Sequence, residues 1–136
     1  ALLIAAAISQ TSLITGGFGT TAAKIAAGKM ALAPLDIFVR AILCNALVCL
    51  AVWLSFAATD VAGKILAIIL PVAAFVALGL EHSIANMFLL PLGLMAGAEG
   101  SAALAAQNIA IATAGNILGG AGGVALAYRF AFKPQV

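Results

Sequence analysis

The feature that most constrains the fold is the apolar stretch over residues 64–96, which carries a glutamate and a histidine near its middle. A membrane-spanning helix needs about 20 apolar residues, so this stretch is too long for one straight crossing. Its prolines and glycines, together with Glu81 and His82, predict a helix that is interrupted near residues 79–82. Because ionisable side chains are costly at membrane depth, we expect the interruption to serve a function.

Three other segments are predicted to lie in the membrane, at residues 1–15, 36–57 and 106–130. The first of these segments is apolar from its first residue, so it is expected to be a helix cut in mid-span. Asp36 suits the start of the second, because carboxylates stabilise helix N-termini. Residues 18–30 are too polar and glycine-rich for a span, and they predict a short amphipathic helix.

Composition supports a lipid environment for most of the chain. Of its 136 residues, 65% are hydrophobic and 7% are charged, whereas a soluble domain carries about 25% charged residues. So few charges cannot cover the surface of a soluble globule, and no sizeable soluble domain fits beside the spans. A net charge of +2 without a basic run argues against a nucleic-acid partner.

The sequence contains no recognisable metal, cofactor or catalytic motif. Cys44 and Cys49 form no CxxC motif and no Cys/His cluster, so they are interpreted as small packing residues. A nucleophile–base pair and a phosphate-binding loop are also missing from the sequence pattern. We therefore expect no cofactor, no metal and no enzymatic activity.

The charges of the predicted loops favour one orientation weakly. Lys64, Arg129 and Lys133 fall on one side of the predicted membrane, and Lys24 and Lys29 fall on the other. Because lysine and arginine are enriched on the cytoplasmic side, a cytoplasmic C-terminus is predicted for a multi-pass protein of the cell membrane.

His82 is the strongest candidate for a functional residue. On a continuous helix, Phe75, Gly79, His82 and Asn86 would share one face, which suits an aromatic constriction beside a polar chamber. The alternative is that His82 bonds a backbone carbonyl left over at the interruption. Glu81 would point about 100° away, and it is expected to anchor the break or to pair with a loop lysine.

Further polar candidates lie in the other segments. Asn45 sits in the middle of a predicted span and shares a face with Val48, so it either lines a path or forms a hydrogen bond between helices. Lys29 lies beside a span, where a lysine is either a solvated charge or part of an anion-attracting vestibule.

Glycines at positions 115, 119 and 123 recur every four residues in the last segment. This GxxxGxxxG row predicts very close packing against another helix. Asn116 lies off the row, so its side chain is predicted to reach a pore or the end of a broken helix, with simple packing as the alternative.

Three motifs resemble the formate/nitrite transporter family: "RAILCNALVCLAVW" at 40–53, "LGLEHSIANMFLLPLGL" at 78–94 and "AGNILGG" at 114–120. The resemblance covers nearly the whole chain but only the latter part of a member, from the end of the third helix through the sixth. It implies an all-α membrane protein with an aquaporin-like helical bundle. The chain would form the second inverted-repeat half, with one interrupted helix.

The resemblance also implies a homo-pentamer in the lipid bilayer, in which each protomer passes small monovalent weak-acid anions. His82 resembles the family's central pore histidine, which contacts the anion or lends it a proton. Phe75 and Val48 resemble constriction residues. Histidine in solution titrates near pH ~6.5, so the flux is expected to depend on pH.

Other residues receive supporting roles from the same resemblance. Asn45 and Asn116 resemble polar residues that satisfy the interrupted helices and border the pore. Lys29 resembles the vestibule lysine, and Glu81 resembles a glutamate of a hydrogen-bond network beside the histidine. The family's first broken helix, with its threonine loop, has no counterpart here, so the N-terminal half of the pore wall is expected to come from elsewhere.

Several alternatives remain open at this point. The residues do not select among formate, nitrite and hydrosulfide, nor between a channel and a proton-coupled carrier. A water or neutral-solute channel would have the same architecture. A non-transporting membrane scaffold is the remaining alternative, and it predicts that replacing His82 leaves every function intact.

Overall fold

A computed structural model describes residues 1–132, and Lys133 of the predicted basic side lies outside them. The described residues are helical and contain no strand. Their α-helices are α1 (Leu2–Ser9), α2 (Gly17–Met30), α3 (Pro34–Ala57), α4 (Val61–Ala77), α5 (Ser83–Met95), α6 (Ala102–Ile117) and α7 (Leu126–Ala131). A 3-10 turn at Ser12–Thr15 precedes α2, and a π-helical segment at Leu118–Ala125 joins α6 to α7.

The chain divides into two compact units. The first comprises Ala1–Ile37 and Ser83–Ile111, and the second comprises Phe38–His82 and the chain from Ala112 onward. The boundaries fall within α3 and α6 and at the start of α5, so α3 and α6 contribute residues to both units.

The core of the first unit forms where α2 packs on α5. The buried positions of α2 recur every three or four residues and are Gly19, Ala22, Ala26 and Met30. Gly93 of α5 allows close approach, because an added Cβ would meet the Ala26 side chain and lie 2.9 Å from the Ala22 carbonyl oxygen. The amphipathic helix predicted for residues 18–30 is therefore confirmed.

The start of the chain differs from the single helix predicted over residues 1–15. Helix α1 ends at Ser9, and a separate 3-10 turn follows. The hydroxyls of Ser9 and Thr11 donate to the carbonyls of Ala6 and Ile8, each at 2.7 Å. Serine and threonine side chains that bond nearby carbonyls in this way weaken a helix, which explains why it stops here.

In the second unit, α6 lies directly against α3. An added Cβ on Gly115 would lie 2.6 Å from the Phe38 carbonyl oxygen, and one on Gly119 would meet the Ile42 backbone. The close packing predicted from the glycine row is thus confirmed at these two positions. At Gly123, an added Cβ meets none of the described neighbouring residues within 4 Å.

The predicted interruption near residues 79–82 is confirmed. Helix α4 ends at Ala77, and α5 begins at Ser83. Gly79 has φ = 62°, and the N–H groups of Gly79 and Leu80 donate to the carbonyls of Val76 and Phe75 at 3.1 and 3.0 Å. This pair of bonds is a Schellman motif, in which glycine supplies the left-handed conformation that ends a helix.

Among residues 1–132, two helical stretches are long and apolar enough to cross a membrane, α3 and the continuous helix Ala102–Ala131. Helix α4 is shorter and has no buried residue, and large apolar side chains such as Leu70 (68%) are exposed along it. Soluble proteins rarely expose contiguous apolar surface of this extent, so the described surface suits a lipid environment.

Alanine substitutions along the glycine row test how the π-helical segment after α6 packs on α3. Gly119→Ala is expected to lower the free energy of unfolding by about 1–3 kcal/mol, because the new methyl group must displace the Ile42 backbone. Gly123→Ala is the matched control and should be neutral or stabilising by up to about 1 kcal/mol, since alanine favours helix. Thermal unfolding in detergent measures both, and equal effects would contradict this packing.

Candidate functional site

The candidate site centres on the interruption, residues 78–82 of the second unit. The rings of Phe75 and His82 stack with their centroids 5.8 Å apart and their planes at 22°. The Schellman motif turns the chain back towards the end of α4, and this turn brings the two rings together. An aromatic ring and a titratable ring therefore lie in contact at the end of a broken helix.

The predicted common helical face of Phe75, His82 and Asn86 is wrong, because residues 78–82 are not helical. Asn86 is buried in the first unit, where its Nδ2 donates to Oδ1 of Asn108 at 2.7 Å. Phe75 and His82 are neighbours through the turn and not through helical spacing.

Asn116 connects the interruption to the neighbouring helix. Its Nδ2 donates to the carbonyls of Ala41, at 2.8 Å, and of Glu81, at 3.0 Å. One amide group thus bonds α3 and the broken segment together. Gly115, next in sequence, allows the close approach to α3 that lets so short a side chain reach both carbonyls.

Asn45 extends this connection along α3. Its Nδ2 donates to the backbone carbonyl of Asn116 at 2.6 Å, and an added Cβ on Gly120 would collide with it. Val48 lies one turn further along α3 and is half-buried. The bond of Asn45 joins two helices, as expected for polar side chains in a membrane bundle.

Glu81 is fully buried, although it lies in the interruption itself. Since residue 81 is not helical, the predicted 100° offset from His82 does not apply. Its backbone carbonyl accepts the Asn116 bond, so the residue contributes to the arrangement through its main chain. A buried carboxyl is costly without polar neighbours. We therefore expect polar groups around Glu81 in this part of the core.

Lys29 lies in the first unit, in the last turn of α2, and its side chain is half-buried. Its carbonyl accepts a 3.1 Å bond from Nδ2 of Asn108. Asn86 completes the chain Asn86–Asn108–Lys29, which fixes the end of α2. Lys24, one and a half turns earlier, is exposed.

Two residues of these networks were not predicted from the sequence, Asn108 and Arg40. Nη1 of Arg40 donates to the Gly79 carbonyl at 3.3 Å. The sequence did contain an indication that Arg40 matters, because an arginine inside a predicted span is rare and usually has a partner. Asn108 offered a weaker signal, as an amide in the last apolar segment.

The described residues contain no group of three histidine, cysteine or acidic side chains that could hold a metal ion. Cys44 is buried and Cys49 is half-buried, and the two are not joined in a disulfide. Chemically, the arrangement offers one titratable ring, an adjacent aromatic ring and a set of amide donors.

Comparison with known proteins identifies related chains. A family model described as formate/nitrite transporter matches residues 1–130. A relative of Bacillus subtilis described as an uncharacterized transporter is 45% identical over 121 residues, covering 89% of this chain and 45% of the relative. A probable formate transporter of Methanothermobacter thermautotrophicus is 45% identical over 116 residues, covering 84% of this chain and 42% of the relative.

A solved structure described as a pentameric formate channel with formate bound superposes with a TM-score of 0.79 and 34% identity. The match covers 96% of this chain and 58% of that chain. The expected all-α membrane fold of the aquaporin-like type is thereby confirmed. The chain spans less than half the length of the two curated relatives. All three relatives are named as transporters or channels.

Substitution of Asn116 tests the connection between α3 and the interruption. Asn116→Leu is expected to lower the free energy of unfolding by about 2–4 kcal/mol, because two buried carbonyls lose a donor. Gln107→Leu, an exposed amide on the same helix, is the control and should change stability by less than about 0.5 kcal/mol. Chemical denaturation in detergent measures both. An Asn116→Leu protein as stable as the control would show that these two bonds contribute little.

Proposed function

Because this chain belongs to the formate/nitrite transporter family, we propose that the protein carries small monovalent weak-acid anions, formate or nitrite, across the cell membrane. The proposed pathway has His82 as its central polar group. The observation that carries the proposal is the stacked pair of Phe75 and His82 at the interruption of an apolar helix. The formate bound to a related channel of known structure supports the substrate class.

The physical difficulty of this transport is the charge of the anion. A carboxylate or nitrite ion loses its hydration on entering an apolar constriction, at a cost of many kcal/mol. His82 reduces this cost if its imidazolium form pairs with the anion or passes it a proton. The resulting neutral acid crosses the next apolar ring cheaply, and the proton leaves with it or returns to the imidazole.

The neighbouring residues serve this centre in different ways. Phe75 and Val48 supply apolar surface, which excludes water and makes the passage selective for species that shed their charge. Asn45 and Asn116 hold the interruption through the bonds described above. Glu81 directly precedes His82 in the sequence and is buried, and it supports the polar surroundings of the histidine.

Lys29 is proposed as a vestibule lysine that raises the local anion concentration at a pore entrance. Its side chain is half-buried, and its backbone carbonyl is anchored by the bond from Asn108. A fixed positive charge attracts anions over distances up to the Debye length, about 8 Å at physiological ionic strength.

The proposed assembly is a homo-pentamer in the cell membrane, in line with the pentameric formate channel that this chain resembles. The proposed orientation places the C-terminus in the cytoplasm, which the basic residues Lys64 and Arg129 support.

Replacement of the histidine tests the central proposal. In liposomes that contain the complete protein, formate uptake should rise as the external pH falls from ~7.5 to ~5.5. His82→Phe keeps an aromatic ring against Phe75 but removes the titratable group, so this pH dependence should disappear. Uptake of labelled formate at several pH values measures the effect.

Tyr128→Phe is the matched control, since it also removes one polar group from an aromatic ring, and it should keep the wild-type pH profile. Osmotic water flow is measured in the same vesicles. Retention of pH-dependent formate uptake in His82→Phe would refute the central role, and water flow without anion uptake would indicate a neutral-solute channel.

The vestibule proposal is tested by neutralising each lysine of α2. Lys29→Met is expected to raise the formate concentration for half-maximal uptake by about two- to tenfold at low ionic strength, because the entrance loses a positive charge. The difference should shrink at high salt as screening increases. Lys24→Met, on the same helix but exposed, is the control. Equal effects of the two substitutions would assign the lysines to general surface charge.

A further inference from the structure

Arg40 forms a contact with the interruption that the proposed function does not explain. It lies on α3, a helix of mostly apolar residues, and it is half-buried. Its Nη1 donates to the carbonyl oxygen of Gly79 at 3.3 Å. A guanidinium on such a helix is costly unless it has a specific partner, so the contact requires a reason.

The Gly79 carbonyl receives no donor from the Schellman motif. The Schellman motif already uses the carbonyls of Phe75 and Val76. Gly79 lies beyond the last helical residue, and its left-handed conformation turns its carbonyl away from the helix. The negative end of the α4 dipole lies at the same place and favours a cation there.

The guanidinium of Arg40 donates to the Gly79 carbonyl at the C-terminal end of α4. The side chain is therefore interpreted as a cap on a broken helix.

Arg40 and Asn116 together hold both ends of the interruption. Arg40 binds the Gly79 carbonyl, and Asn116 binds the Glu81 carbonyl. Asn116 also bonds Ala41, the residue next to Arg40, so the two contacts meet the same turn of α3. The segment from Gly79 to Glu81 is only three residues long, and His82 follows it directly.

We propose that Arg40 is a positioning residue for His82. By holding the Gly79 carbonyl against α3, it sets the path of the broken segment and keeps the imidazole stacked on Phe75. Phe75 is part of α4 and lies outside the segment whose carbonyl Arg40 binds. Loss of the Arg40 contact should move His82 relative to Phe75 while the helices remain in place.

A measurement independent of transport tests the positioning directly. In Arg40→Met, hydrogen exchange in peptides that contain the Leu80 amide is expected to be at least about tenfold faster than in the wild type, with α3 and α6 unchanged. Arg40→Lys keeps a cationic donor and should restore most of the protection. Arg129→Met, an exposed arginine of α7, is the matched control and should show no change.

Two outcomes of the exchange measurement would overturn the proposal. One is equal exchange at Leu80 in Arg40→Met and the wild type. The other is a uniform rise over all helices in both Arg40→Met and Arg40→Lys, because that result would indicate a general loss of stability.

The consequence for transport rests on the proposed function and is measured separately. In liposomes, the ratio of formate uptake at pH ~5.5 to uptake at pH ~7.5 should fall by at least about threefold in Arg40→Met and recover in Arg40→Lys. The comparison uses equal amounts of folded protein. A lower uptake with an unchanged ratio would assign Arg40 a purely structural role and overturn the proposal.

The two proposals fail in different ways. If the wild-type protein takes up no formate but Arg40→Met still loosens the Leu80 amide, the proposed function fails and the positioning role stands. If the wild type transports formate with a pH dependence that Arg40→Met leaves intact, the positioning role fails and the proposed function stands.

Discussion

Backbone carbonyls at the interruption of a helix are the groups on which the rest of this structure depends. In an apolar environment, each such carbonyl needs a donor, because water does not supply one. The carbonyls of Gly79 and Glu81 receive theirs from Arg40 and Asn116, side chains of two different helices. The interruption is therefore a defined turn with bonded ends, and it can hold an aromatic and a titratable ring in contact.

Small residues make these bonds geometrically possible. Asparagine has a short side chain, and Asn116 reaches carbonyls of both α3 and the broken segment because the helices lie unusually close. Gly115 and Gly119 create this closeness, since any side chain there would collide with α3. Close packing and hydrogen bonding are therefore linked here. The glycines bring the two backbones together, and the Asn116 amide then bridges them. The aromatic pair at the break depends on both.

Predictions from helical spacing succeeded within helices and failed across the break. The glycine spacing correctly predicted close contact with α3 at Gly115 of α6 and at Gly119 of the π-helical segment. The same reasoning placed Phe75 and His82 together, which is correct, but for the wrong reason, since a turn and not a helical face joins them. It also placed Asn86 with them, whereas that residue bonds Asn108 in the first unit. A turn changes the direction of every residue that follows it, so helical periodicity carries no information beyond it.

The sequence by itself determined the apolar helices, the break at residues 79–82, the family and the candidate residues, because apolar length, glycine placement and local motifs are properties of short segments. Only the tertiary structure decided the partners of Arg40, Asn116 and Asn108. These hydrogen bonds join residues 22 to 79 positions apart, and no local spacing encodes such a pairing. The end of the first helix was also decided by the structure. Serine and threonine hydroxyls there compete with the helical bonds that the apolar composition of this segment favours.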